Sequence, residues 1–205
     1  MSDLRNELLG SRTPTLPPYR MLVPPGWEVF ELGEQDETQL IGRAAARLKA
    51  NNRGDLTAAV GRYVRDALTD LRRQNAFAYA IPGEEAPTWV LGSASLVGIR
   101  RVSTPDLTLD DVVRNAVAQH GGAPLGEDAR IMSWAESRTV TMDGETVRSL
   151  MLNYLIPIPG TRRTQAVHWV VNAAHAEDMP DDDPKLEAWK LLFDVHVATF
   201  AWLAE

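Results

Sequence analysis

The stretch 139–175, TVTMDGETVRSLMLNYLIPIPGTRRTQAVHWVVNAAH, most narrows what this chain can fold into. Two turn signals divide it, Asp143-Gly144 and Ile158-Pro159-Gly160. Between them Val147, Leu150 and Leu152 are interleaved with Arg148 and Asn153, and Val167, Trp169 and Val171 share one face of a last strand. The pattern predicts a meander of three long antiparallel strands, whose apolar face needs a cover.

The rest of the chain supplies that cover. Trp27 leads into an alternating segment over 28–32, and Pro24-Pro25 before it suits a strand start or a sheet edge. Glu34 to Ala50 spaces Leu40, Ile41, Ala44 and Leu48 as a helix does. A second helix, with Asp55 as its expected cap, carries Leu56, Val60, Tyr63, Val64, Ala67, Leu68 and Leu71 in one stripe. Residues 76–81 and 89–101 read as strands joined near Pro82-Gly83. A third helix fits 108–120, capped by Thr108 and stopped by Gly121-Gly122. The meander opens at 131–142, and a long helix over 184–204 closes the chain behind Asp181, Asp182 and Asp183. Pro14, Pro17 and Pro18 give residues 1–22 the character of a flexible tail, in which only 4–9 suggests a short helix. The expected organisation is therefore a tail over 1–22 and one domain over 23–205. Its fold class is α+β: an antiparallel sheet of about six strands covered by helices, with a long C-terminal helix, like an α/β/α sandwich.

Composition excludes several chemistries. The chain has 205 residues and no cysteine, which removes disulfides, thiolate zinc sites, iron–sulfur clusters and a cysteine nucleophile together. A net charge of -7 argues against nucleic acid as a partner, since phosphate contacts need a basic face. The first twenty residues hold no apolar leader and no later run spans a bilayer, so the expected location is the cytoplasm, with signal-less secretion left open. No phosphate-binding loop, dinucleotide fingerprint, zincin pair or nucleophile elbow occurs. No cofactor is expected. His168 and His175 stand an odd number of residues apart on one strand, so they point to opposite faces. The acidic run 177–183 lacks the alternating ligands and central glycine of a calcium loop and reads as a solvated helix cap.

Arginine pairs and tryptophans are the candidate binding groups. Arg72-Arg73, Arg100-Arg101 and Arg162-Arg163 fall at or near predicted element ends. As separate surface charges they are ordinary; two pairs brought together would form an anion or acidic-partner site, with Arg162-Arg163 on an exposed hairpin tip. Trp27, Trp169 and Trp189 fit the core stripes, while Trp89, Trp134 or Trp202, where exposed, would mark a binding surface.

The order of elements, with Pro25-Gly26-Trp27 in the first strand, the turn Asp143-Gly144-Glu145, and Phe193-Asp194 with Phe200-Ala201-Trp202 in the last helix, resembles the PsbP/Mog-like fold over residues 23–203. That superfamily includes the DcrB-like and LpqN-like bacterial proteins. Its lipoprotein members carry a signal and a lipidated cysteine, neither of which stands in this sequence. The resemblance implies an antiparallel sheet covered by helices and used mainly to bind partners. The leading expectation is a non-enzymatic protein-binding module, such as an adaptor, a secretion-associated factor or an immunity-type factor. One alternative is a small-ligand carrier or an enzyme with a cleft between sheet and helices, using His168, Asp194 and His196. The other is a structural subunit of an assembly, with a homo-oligomer among the outcomes.

Overall fold

The computed structural model describes residues 16–50, 52–87, 94–127, 129–142 and 145–203. The expected short helix over 4–9, the Asp143-Gly144 turn and Trp89 lie outside these residues.

The meander forms as its pattern predicts: β6 (Met132–Met142), β7 (Glu145–Pro157) and β8 (Gln165–His175) are paired antiparallel along their lengths. It is the centre of a wider sheet. β2 (Trp27–Phe30), β3 (Ala76–Pro82) and β4 (Ala94–Val102) extend it on one side and β5 (Ala123–Pro124) on the other, in the order β2-β3-β4-β8-β7-β6-β5. This gives seven strands, in line with the expected sheet of about six. Helices cover both faces, as in an α/β/α sandwich, and Leu152, Asn153, Tyr154, Leu155 and Ile156 of β7 are all buried.

Strand parity separates the two cores. Leu152, Tyr154, Val167, Trp169 and Val171 face helix α4 (Pro184–Ala198), which contributes Leu186, Phe193 and Val197. The Tyr154 hydroxyl donates to Asp194 Oδ1 at 2.8 Å and ties α4 to β7. Burying a side chain the size of Phe193 or Tyr154 stabilises the fold by about 1.5–3 kcal/mol each. On the opposite face lie α1 (Glu34–Ala50) and α2 (Thr57–Arg73), joined through a short 3-10 turn at Gly54–Leu56. They cover β2 and β3 through Leu40, Leu68, Phe30 and Leu32. Helix α3 (Leu109–His120) covers the other flank of that face, against Trp134, Leu155 and Ala166.

The end signals behave unequally. Thr108 and Asp111 form a capping box on α3, and Gly121 ends it in the left-handed conformation at φ 64°. Asp183 caps α4 through Lys185 N. Asp55 does not cap α2: it lies inside the 3-10 turn, and the N-cap position falls to Leu56, which makes no side-chain cap.

Two expectations about the chain ends are corrected. The final helix stops at Ala198, not 204, because Thr199 turns its hydroxyl back onto His196 O at 2.6 Å and Phe200 folds into the core. Ala201–Trp202 then forms β9, which pairs with β1 (Tyr19–Arg20). Tyr19 therefore belongs to the packed structure rather than to a tail; its ring stacks on Phe200 at 5.4 Å and meets Phe77, Trp169 and Trp202 edge-on. No helix among the described residues is long and apolar enough to cross a membrane.

Candidate functional site

Sheet register places all three arginine pairs at one end. β4 runs out where β8 begins, with Val102 opposite Gln165, and Ser103 N donates to Thr164 O across the same end. β3 starts beside them, since Arg100 N donates to Asn75 O just past the C-terminus of α2. Arg72-Arg73, Arg100-Arg101 and Arg162-Arg163 are thus neighbours by topology. The acidic loop 176–183 follows the C-terminal end of β8, at the opposite end of the sheet.

The six guanidinium groups serve different purposes. Arg72 is a staple: its Nε donates to Leu32 O and its Nη1 to Glu37 Oε2, fixing the β2–α1 connection. Arg73 pairs with Asp70 one turn back. Arg100 donates to Gln165 Oε1 at 2.5 Å, and Arg101 reaches His168 Nδ1 at 3.3 Å. Arg162 and Arg163 are exposed at the β7–β8 turn and hold φ angles of 51° and 63°. A left-handed backbone costs a side-chain-bearing residue about 1–2 kcal/mol. The turn sustains both through Thr161, whose hydroxyl donates to Ile158 O, and Thr164, whose hydroxyl donates to Thr161 O, each at 2.7 Å.

Beside that tip opens a cleft of about 680 Å³. Its walls come from α3 (Leu109, Val113), the start of β6 (Met132), the end of β7 (Leu155) and β9 (Trp202), with Arg163 on its lining. Arg130, Asp110 and Glu127 add charge of both signs. Trp202 is half-buried, and its indole N–H donates to Pro157 O at 3.1 Å, so the ring is held in place with one side on the cleft. Two of the residues proposed from sequence, Arg163 and Trp202, therefore line the same cleft although 39 positions separate them.

The remaining candidates are placed elsewhere. Trp134 is not surface-exposed as a binding residue would be: at 9% exposure it stacks on His168 (5.3 Å, 26°) and donates to Glu136 Oε1 at 2.8 Å. Arg101, His168, Asn153 and Glu136 form one hydrogen-bonded row across β4, β8, β7 and β6. His168 Nε2 meets Asn153 Oδ1 at 3.1 Å, and Asn153 Nδ2 meets Glu136 Oε1 at 3.4 Å. Burial, with Arg101 beside it, draws the His168 imidazole down to about 3, so it is neutral across the physiological range. Sequence reading missed this row because Asn153 carried only the sign of a solvent-facing strand residue; its parity with Met151 and Leu155 was the available clue.

His168, Asp194 and His196 do not converge. His168 lies on the face under α1–α3, and Asp194 lies on α4 across the sheet, where burial raises its carboxyl while Tyr154 opposes that rise. His196 turns its Nδ1 to Leu192 O, within its own helix. His168 and His175 do face opposite sides, as their spacing predicts. Among the described residues no three His, Asp or Glu side chains gather as a metal-binding set.

No family model and no curated protein matches this chain. Two solved structures are similar to it: a mutant of the protein Mog1, at 11% identity with a TM-score of 0.44, and the Saccharomyces cerevisiae Ran-binding protein Mog1p, at 11% identity with a TM-score of 0.33. Each similarity covers 61% of this chain and 78% of the other.

Proposed function

We propose that the protein is a binding module for another protein, gripping a segment that presents an apolar side chain flanked by carboxylates. The observation that carries this reading is the cleft at the arginine-bearing end, where Trp202 offers a fixed aromatic wall and Arg163 a cation on the same space. Tryptophan and arginine dominate the energetics of protein interfaces because each combines a large contact area with a directed polar group. The left-handed Arg162-Arg163 tip holds two guanidinium groups in the open at a cost to stability. Carboxylates answer them with charge-assisted hydrogen bonds, and the cleft takes the apolar anchor between.

Affinity purification of the tagged protein from its host, followed by mass spectrometry, tests this with two variants. The double variant Arg162→Gly, Arg163→Gly removes both cations and relaxes the backbone, so its melting temperature stays level or rises. Trp202→Ala removes the anchor wall. The native chain should retain one dominant protein, weakened in each variant by roughly 30-fold or more, as loss of an interface hot spot of at least ~2 kcal/mol implies. A partner held equally by the glycine double variant, or no partner at all, would sink the proposal.

A further inference from the structure

A second cleft, of about 770 Å³, lies between the α1–α2 hairpin and the sheet, and it has a different character. Its roof is apolar: Leu40 and Leu68, with the small residues Ala44 on α1 and Ala67 on α2 beside them. Alanine at these positions leaves unfilled the space that larger residues would occupy in a packed helix–sheet layer. Its floor is polar. Ser95 on β4 stands directly opposite Asn172 on β8, and Tyr79 on β3 stands opposite Val97, so Tyr79, Ser95 and Asn172 rise from the same face of three adjacent strands. All three line the cleft. Ser95 stands beside Tyr79, and burial holds the tyrosine pKa above its ordinary value, so the hydroxyl keeps its proton.

We propose that this cleft binds a small neutral amphiphile, its apolar body under the helices and a hydroxyl or amide end on Tyr79, Ser95 and Asn172. The volume falls in the range of small-molecule sites, and apolar walls with a few convergent polar groups are their usual make-up. Charge selects the head group. The floor offers hydroxyl and amide groups, and the lining cation, Arg43, is paired with Glu28. A carboxylate head loses its hydration there and meets, besides the already paired Arg43, the like charge of Glu84, whereas a hydroxyl exchanges water for three neutral partners. Gly83 and Glu84 place this cleft toward the end of the sheet opposite the arginine pairs, so it is separate from the surface proposed for a protein partner.

Decanol is a suitable probe, with decanoate as its charged counterpart. Binding to the intact chain is read by isothermal titration and by the shift in melting temperature. The expected result is one-to-one binding of decanol, with decanoate at least tenfold weaker. Ala67→Phe and Ala44→Phe fill the cleft and should abolish binding; Ala67 is exposed on α2, so its variant keeps the native melting temperature even where Ala44→Phe does not fold. Asn172→Leu should weaken decanol about tenfold, the loss of one hydrogen bond. The proposal is overturned if decanol leaves the native chain unshifted, if it binds Ala67→Phe as tightly, or if decanoate binds as well as decanol.

Discussion

Close approach at a single residue shows where this fold has no room to change. Gly98 on β4 lies opposite Trp169, with Phe77 on the neighbouring strand, and those two rings meet edge to face at 5.3 Å. A Cβ at position 98 would stand 2.7 Å from Phe77 Cζ and 2.8 Å from Trp169 Cζ3. Both rings are locked in the aromatic cluster around Tyr19 and Phe200, so neither can swing away. Gly98→Ala should therefore destabilise the protein by about 1–3 kcal/mol, the range for overpacking a well-filled core. Urea unfolding checks this, and an unchanged midpoint would mean that the cluster yields more readily than its geometry indicates. In sequence Gly98 is one of fourteen glycines with nothing to mark it; only the rings on either side give it a role.

Between elements, the row Arg101–His168–Asn153–Glu136 links four strands through polar groups on one face of the sheet. It gives the sheet a pH dependence whose sign follows from the imidazole. The folded chain holds His168 neutral down to about 3, against an ordinary value of 6.5. Between those limits the unfolded state binds more protons, so folding stability falls as pH drops through the window. His168→Gln removes the titrating group while keeping an amide to meet Asn153. Its stability should decline less steeply than that of the native protein, by up to about 1.4 kcal/mol per pH unit near pH ~5. Denaturant titrations at a series of pH values give the comparison, and parallel curves would place the titrating proton on another group. Helix α3, by contrast, was legible from sequence to within one residue at its start, because the capping box and Gly121 are local devices that act within a few residues.

At the scale of the whole molecule, arginine pairs at one end of the sheet and the acidic loop 176–183 at the other make an acidic protein electrically lopsided. A partner recognised at the arginine end should associate more weakly as salt rises, since exposed charges are screened over about 10 Å at 0.1 M ionic strength and about 3 Å at 1 M. The Arg162→Gly, Arg163→Gly variant should lose most of that dependence; an equally steep salt response in both would move the recognition away from the tip. What the sequence by itself determined was everything written in short-range periodicity. That covers the α+β class, the meander, the helices and the opposite facing of His168 and His175, because side-chain alternation and helical spacing need no distant partner. Tertiary structure alone decided the rest. It ended the last helix early so that β9 meets β1, buried β7 on both faces, and took Trp134 into a stack on His168. It put Arg163 and Trp202 on the wall of one cleft and set Tyr79, Ser95 and Asn172 on one floor. Each of these depends on strand register or on contacts between residues far apart in the chain, and a register is fixed only when the whole sheet closes over its two cores.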